Sequence, residues 1–236
     1  MLKISLSSRG FLVLTFWYPI RNNKVGWNWY TTVMKLFLVR HGETDTNRIL
    51  GHGVEGPMHN EPVIFKSGDD TNIPLNIYGR GHAEYAGGEL PDVIDEIYAS
   101  PLLRVKETAE IIAGVKKIDP KNIQFRSELV EYHQGSLEGL TTEEKRERIA
   151  GQSWGSGLLC SYDYTPWGGD SWETIYTRLS SFFDELKKHG NDKNIVCVTS
   201  GGVIRMAYKI FFWDKSPGIT KHIVVKNGSV HEFVID

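Results

Sequence analysis

The sequence predicts an α/β domain with a mainly parallel sheet, and three observations support that fold class. Apolar, strand-like runs at residues 35–39, 97–100 and 195–199 each lead into a helix-forming segment, which is the pattern of βα units. The runs are continuously apolar, as expected of strands covered on both faces. Residues 171–189 repeat apolar side chains at three- and four-residue spacing, which predicts an amphipathic helix.

Capping residues mark the predicted helix ends. Asp170 or Ser171 can cap the start of the 171–189 helix, and Gly190 can end it. Thr141 and Glu144 fit a capping box, since the hydroxyl and the carboxylate can each accept from an amide of the first turn. A further helix is therefore expected to begin at Thr141.

Turn and loop signals separate these elements. Asn227-Gly228 lies between two β-branched runs and predicts a tight hairpin turn. Residues 51–76 and 151–169 are rich in turn-forming residues and predict long loops, of the kind that act as lids or binding loops.

Composition and charge bound the class of protein. The 236 residues are 40% hydrophobic and 24% charged, which is typical of one globular domain. The 27 basic and 29 acidic residues give a formal charge of −2, so we expect neither a nucleic-acid partner nor a membrane partner. Cys160 and Cys197 show no disulfide or zinc spacing, which points to a reducing cytoplasm, and Cys197 is expected in the core.

Residues 1–33 form an N-terminal extension to a domain predicted at 34–236. Lys3 and Arg9 precede an apolar stretch at 11–20 that is shorter than the about 20 residues a membrane-spanning helix needs. Three interpretations stay open. The extension is an upstream segment with Met34 as the working start, a weak signal or interfacial anchor, or an ordered flap on the domain.

The chemistry-bearing residues follow three strands. Arg40 and His41 come after the first, Arg104 after the second and Ser200 after the third. In open α/β sheets the ligand crevice lies at the carboxyl ends of the strands, so we expect these side chains to meet. A histidine can attack phosphorus while arginines hold the phosphoryl oxygens, and Gly42 would let the backbone turn sharply and approach a ligand.

Several ordered motifs resemble the cofactor-dependent phosphoglycerate mutase branch of the histidine phosphatase superfamily, over roughly residues 35–235. The motifs are Arg40-His41-Gly42-Glu43-Thr44, Ser100-Pro101-Leu102 with Arg104 and Thr108-Ala109, the segments 129–139 and 168–172, and the segment 198–205. The resemblance implies a three-layer sandwich with a mainly parallel central sheet flanked by helices.

The resemblance also implies residue roles. His41 would be the nucleophile that becomes phosphohistidine, and Glu131 the proton donor. Arg40, Asn47 and Arg104 would bind phosphate, and a broader substrate-binding set would also include Thr44 and Gly201. A carboxyl group shielded from water holds its proton near neutral pH, which suits Glu131 for protonating a leaving alkoxide.

The chain departs from the family pattern at Ser200, where a second catalytic histidine is expected. A serine hydroxyl donates only a neutral hydrogen bond, and losing one preorganised donor costs roughly 10² to 10³ in rate. His133, His59 and His52 are candidate replacements, although each is better explained as a surface or loop residue. The segment between Asn47 and Pro74 is also longer than the family pattern.

No cofactor and no metal site are predicted, because His222 and His231 have no carboxylate or cysteine at ligand spacing. Three functions stay open. The first is a metal-independent phosphate-monoester hydrolase acting through His41, weakened by Ser200. The second is a phosphoglycerate mutase-type phosphoryl transferase. The third is a catalytically degenerate domain that binds phosphorylated ligands or a protein partner. The expected substrate is a small phosphorylated metabolite or a phosphorylated protein side chain, and the oligomeric state is left open.

Overall fold

The computed structural model describes residues 2–6, 12–16, 33–49, 72–140, 144–145, 147–148, 163–212 and 223–235. Its strands, in chain order, are β1 (Leu2–Leu6), β2 (Leu12–Phe16), β3 (Met34–Arg40), β4 (Glu96–Ala99), β5 (Ile123–Phe125), β6 (Asn194–Thr199) and β7 (Val230–Ile235). The α-helices are α1 (Asp45–Ile49), α2 (Ile77–Glu89), α3 (Leu103–Lys116), α4 (Trp172–His189) and α5 (Gly201–Phe212).

A five-stranded sheet in the order β5-β4-β6-β3-β7 organises the domain. The pairs β5–β4, β4–β6 and β6–β3 are parallel, and β7 alone runs antiparallel, against β3. The carboxyl ends of four strands therefore meet at one edge of the sheet. Separately, β1 and β2 form a two-stranded antiparallel sheet.

Two apolar layers cover the sheet, because successive side chains of a strand point to opposite faces. Leu36 and Leu38 of β3 pack with α4 and α5, whereas Phe37 and Val39 pack with α2 and α3. Helix α4 contributes to its layer the buried apolar side chains Ile175, Leu179, Phe182, Phe183 and Leu186. The result is the predicted three-layer sandwich.

The predicted strands and the long helix are confirmed. Ser171, rather than Asp170, caps α4, since its hydroxyl accepts from the Thr174 N–H at 3.1 Å. Gly190 ends the helix as expected. Cys197 is fully buried in β6, as predicted, and burial raises the pKa of its thiol.

The hairpin predicted at Asn227-Gly228 is wrong in its first strand, whereas its turn and its second strand are present. The turn exists, with Gly228 at a positive φ of 71°, but residues 223–226 before it form no strand. Two carbonyl groups of this segment, which would accept backbone hydrogen bonds in a hairpin, accept instead from arginine side chains. Arg40 Nη1 donates to Val225 O at 2.6 Å, and Arg205 Nε donates to Ile223 O at 3.2 Å. Strand β7 pairs instead with β3.

Several other predictions lie outside the described residues. They are the capping box at Thr141, most of the loops 51–76 and 151–169, and the histidines His52, His59 and His222. Apart from Val33, residues 1–33 are described only as the backbone of two strands, so the choice among the three interpretations of this extension stays open. Among the described helices, none combines the length and the apolar character needed to cross a bilayer.

Candidate active site

The parallel register brings the three predicted motifs together at the carboxyl edge. Arg40 lies opposite Thr199 in the β3–β6 pair, and the His41 N–H donates to Thr199 O at 2.9 Å. On the other side of β6, the Ser100 N–H donates to Val198 O at 3.2 Å. Because β6 lies between β4 and β3, the segment containing Ser200 is flanked by the segments that contain His41 and Arg104.

His41 is buried and held in one tautomer. Its Nδ1 lies 2.7 Å from the Gly42 carbonyl oxygen, which can only accept, so Nδ1 carries the proton and Nε2 keeps its lone pair. Burial, followed by the charges of Arg104 and Arg40, lowers the pKa of His41 well below its usual range. The surroundings therefore favour the neutral imidazole, whose Nε2 can act as a nucleophile.

Packing fixes the backbone beside His41. The Gly42 N–H donates to Thr108 Oγ1 at 3.0 Å, and that hydroxyl donates to Arg104 O at 2.7 Å, which joins the His41 segment to α3. A Cβ on Gly42 would lie 2.1 Å from the Gly79 carbonyl oxygen of α2. The close approach to α2 is thus one reason for glycine at this position.

Three arginines form the positive side of the site. Arg104 occupies the first turn of α3 and is 6% exposed, so its side chain is buried rather than a surface group. Burial, together with Arg205 and Arg104, lowers the pKa of Arg40 to about 10, and Glu131 opposes that shift. Crowding like charges in this way favours an anion that can share them.

Glu131 lies against the first turn of α5. Its Oε2 accepts from the Gly202 N–H at 3.1 Å, and its Oε1 accepts from the Tyr132 N–H at 3.2 Å. The segment before it is tied to β6, since Thr199 Oγ1 donates to Leu129 O at 2.7 Å. Burial raises the pKa of Glu131 despite the opposing hydrogen bonds, so its proton is retained to higher pH than in an exposed glutamate.

The other two glutamates near Glu131 in sequence have partners elsewhere. Glu128 pairs with Arg126, whose Nη2 lies 2.7 Å from Glu128 Oε1. Glu138 Oε1 lies 2.6 Å from His133 Nδ1. Glu131 is therefore the glutamate of this segment whose carboxylate meets the helix that follows Ser200.

Ser200 is 1% exposed and immediately precedes α5. Its Oγ is buried and makes no hydrogen bond to any residue that the structure describes. The hydroxyl is thus free to donate to a ligand, but it offers no positive charge. Next to it, a Cβ on Gly201 would lie 3.5 Å from Arg40 Nε, which places the start of α5 against the arginine cluster.

Thr44 and Asn47 close a reciprocal cap at the start of α1. The Thr44 N–H donates to Asn47 Oδ1 at 3.1 Å, and the Asn47 N–H donates to Thr44 Oγ1 at 3.2 Å. Thr44 therefore has a structural role, capping α1, besides the substrate contact that the resemblance implies. Asn47 is oriented by the same cap.

The candidate replacement that the structure describes, His133, is exposed and pairs with Glu138, so it matches the surface interpretation. His231 lies in β7 between Tyr208 Oη at 3.0 Å and Ser229 Oγ at 2.8 Å. Across the described ranges, no cluster of three or more histidine, cysteine, aspartate or glutamate side chains has metal-binding geometry.

The sequence suggested no role in the site for four residues that shape it, although each lies in a motif or turn singled out above: Thr108, Tyr132, Arg205 and Asn227. Thr108 could have been found, because it is one helical turn after Arg104 and lies on the same face of α3. Asn227 could not, because its contacts join segments about 180 residues apart.

Comparisons with known proteins agree with this geometry. Residues 36–236 match the family described as Histidine phosphatase superfamily (branch 1). The chain is 29% identical over 205 residues to "Phosphoglycerate mutase-like protein 4" of Arabidopsis thaliana, with 84% of this chain and 78% of the relative covered. It is also 29% identical over 177 residues to the "Metal-independent phosphoserine phosphatase" of the same plant, covering 75% and 68%.

Among solved structures, a phosphoserine phosphatase from Entamoeba histolytica in complex with 3-phosphoglyceric acid superposes with a TM-score of 0.63 at 25% identity. The match covers 85% of this chain and 94% of that one. The matched range contains all three strand-end motifs. The chain belongs to branch 1 of the histidine phosphatase superfamily.

Proposed function

We propose that the protein hydrolyses phosphate monoesters without a metal, through a phosphoryl group carried on His41. The observation that carries the proposal is the setting of two side chains at the carboxyl edge, the buried His41 and the partly buried Glu131. The Gly42 carbonyl fixes the proton of His41 on Nδ1 and leaves Nε2 with its lone pair, while the surroundings lower the pKa of His41 and raise the pKa of Glu131. A neutral nucleophile and a protonated acid are what the first step of ester cleavage requires.

The reaction proceeds in two displacements. In the first, His41 Nε2 forms a bond to phosphorus, the ester P–O bond breaks, and the leaving oxygen takes the proton of Glu131. In the second, the Glu131 carboxylate accepts a proton from water, the water oxygen attacks phosphorus, and the P–N bond breaks. Inorganic phosphate leaves, and both side chains return to their starting states.

The positive charges of the arginines stabilise the negative phosphoryl group in both displacements. Arg40 and Arg104 hold the phosphoryl oxygens in the ground state and in the transition state, so they contribute mainly to binding. Ser200 supplies one neutral donor where the family pattern has a histidine, and turnover is therefore lower by roughly 10² to 10³ than with a charged donor.

The substrate is a small phosphorylated metabolite or a phosphorylated protein side chain. The phosphoserine phosphatases among the relatives favour a small phosphorylated acid. The free buried thiol of Cys197 is consistent with a reducing cytoplasm.

A second candidate function is a binding domain for phosphorylated ligands, and Ser200 is the observation that favours it. With both arginines present but no charged donor at position 200, the site can hold a phosphate and transform it slowly. Mutase-type transfer is separated from hydrolysis by supplying a hydroxyl acceptor and following phosphate transfer to it.

The test is release of inorganic phosphate from a panel of phosphate monoesters in the presence of a chelator. We expect slow release that persists with the chelator and is abolished by His41→Ala. His133→Ala is the matched control, since that histidine is exposed, and it should leave the rate unchanged. Binding of the monoesters without release at any pH would reject hydrolysis and favour the binding domain.

A further inference from the structure

Asn227 is a buried side chain that links the turn before β7 to the segment around His41. Its Nδ2 lies 3.1 Å from His41 O, 3.2 Å from Gly42 O and 3.1 Å from Asn47 Oδ1. The amide group of Asn227 thus faces three acceptor oxygens, two from the backbone after β3 and one from the side chain of Asn47 in α1. The Gly228 N–H fixes the turn in place, donating to Arg40 O at 3.1 Å and to His41 O at 3.3 Å.

The contact with Asn47 determines which way its amide points. Asn47 Oδ1 accepts from the Thr44 N–H at 3.1 Å and from Asn227 Nδ2 at 3.1 Å. A backbone N–H can only donate, so the atom that faces it must be the oxygen, and two donors occupy both of its lone pairs. The Nδ2 of Asn47 is left as the part of the amide that can meet a ligand. Phosphate oxygens accept hydrogen bonds, so this is the orientation a phosphate needs.

The contact between Asn227 and Gly42 affects the orientation of the His41 ring. The same Gly42 carbonyl oxygen accepts from His41 Nδ1 at 2.7 Å and from Asn227 Nδ2 at 3.2 Å. Asn227 therefore contacts the carbonyl that sets the tautomer of the nucleophile. Its side chain is 6% exposed, so water does not readily replace it there.

We propose that Asn227 is a positioning residue that orients the Asn47 amide towards the phosphoryl group and holds the carbonyl that orients His41. The inference rests on the proposed function, because it assigns Asn47 to phosphate. It adds a residue from the C-terminal turn, which touches no substrate and acts through Asn47 and Gly42.

The experiment measures the affinity for inorganic phosphate by calorimetry, which does not depend on turnover. In the otherwise unchanged protein, Asn227→Ala should weaken phosphate binding about 5- to 30-fold, as expected for the loss of buried hydrogen bonds. In an Asn47→Ala background, the same substitution should weaken it less than about 2-fold, because the residue through which it acts is gone. Equal losses in the two backgrounds would overturn the proposal.

Two further variants separate positioning from a general effect on the turn. Ser229→Ala is the control, since its hydroxyl donates to Lys226 O within the same turn, and it should bind phosphate as the parent does. Asn227→Asp keeps the shape of the side chain but turns an acceptor towards three oxygens, so it should bind at least as weakly as Asn227→Ala. Near-parent binding by Asn227→Asp would overturn the proposal. Failure of the parent itself to bind phosphate would reject the proposed function, and the inference with it.

Discussion

Glu96 and Glu131 lie at opposite edges of the same sheet, and their surroundings move their pKa values in opposite directions. Glu96 begins β4 at the amino edge. Burial alone would raise its pKa, but hydrogen bonds from Lys193, Tyr98 and His189 reverse the shift and lower it. The ionised form is fixed by direct contacts, which is the behaviour of a structural ion pair.

At the carboxyl edge, burial has a larger effect on the pKa of Glu131 than hydrogen bonds and nearby charges have. Glu131 receives hydrogen bonds from the Gly202 and Tyr132 backbone, and Arg104 and Arg40 favour its charge, yet burial outweighs them and raises the pKa. The same edge lowers the pKa of His41. The amino edge therefore favours the charged form of Glu96, while the carboxyl edge favours the neutral forms of Glu131 and His41. Such displaced protonation equilibria are typical of catalytic sites.

The largest expected effect is on Glu131. Glu131→Gln should lower kcat by roughly 10² to 10⁴, because the leaving oxygen loses its proton donor. In the parent the rate should fall as pH rises through the raised pKa of Glu131, and this limb of the pH profile should be absent from the variant. Glu138→Gln is the matched control in the same segment. A variant that keeps the parent's pH profile would exclude Glu131 as the acid.

The next effect concerns Ser200. Ser200→His should raise turnover roughly 10- to 10³-fold and change ligand affinity much less, since a charged donor acts mainly in the transition state. The introduced imidazole should also add an ionisation near pH 6 to 7, below which the charged donor is present. Steady-state kinetics and phosphate binding measure the two quantities. A folded variant that binds phosphate without any gain in rate would favour the binding domain.

Alanine substitutions at two adjacent glycines at the start of α5 test the placement of Glu131, because only one of them should disturb it. A Cβ on Gly202 would lie 1.9 Å from Tyr132 Cε1 and 2.4 Å from Glu131 Oε1, and the Tyr132 ring is stacked on Tyr164 at 5.2 Å. A Cβ on Gly201 meets its nearest side-chain atom at 3.5 Å. Gly202→Ala should therefore lower kcat about 10-fold or more by displacing Glu131, while Gly201→Ala should have little effect. Equal kcat values for the two variants would contradict this placement of Glu131.

The smallest expected effect is on the free energy of unfolding, which should change in opposite directions for substitutions of Glu96 and Glu131. Because the pKa of Glu96 is lowered on folding, its carboxylate stabilises the protein above the unfolded pKa, and this contribution is lost as pH falls through the folded pKa. Glu96→Gln should therefore cost about 0.5–1 kcal/mol at neutral pH and nothing in acid.

Glu131 should behave in the opposite way in the same unfolding experiments. Its pKa is raised on folding, so ionisation lowers stability progressively as pH rises above the unfolded value. Glu131→Gln should then increase the free energy of unfolding at neutral and higher pH. The same sign for both substitutions, measured by urea unfolding across pH, would contradict the comparison.

The sequence predicted the parts of this architecture that depend on local patterns. The three central strands β3, β4 and β6, helix α4, and the strand-end positions of His41, Arg104 and Ser200 all follow from periodicity and from the convergence of parallel strands. The strand pairing of the C-terminal segment did not, because Arg40 and Arg205 compete for carbonyls that only the folded chain brings near them. The contacts of Asn227 with the site could not be predicted either, because its partners lie about 180 residues away in the sequence.

The role of His41 as the phosphoryl carrier can be tested by trapping the covalent intermediate. The protein is mixed with a phosphate monoester carrying labelled phosphorus, quenched in alkali within the first turnover, and digested for mass spectrometry. We predict an acid-labile, alkali-stable phosphoryl group on the peptide that contains His41, absent from His41→Ala and more abundant after Ser200→His. Hydrolysis that proceeds with no label on the protein, or a label that persists in His41→Ala, would exclude His41 as the residue that carries the phosphoryl group.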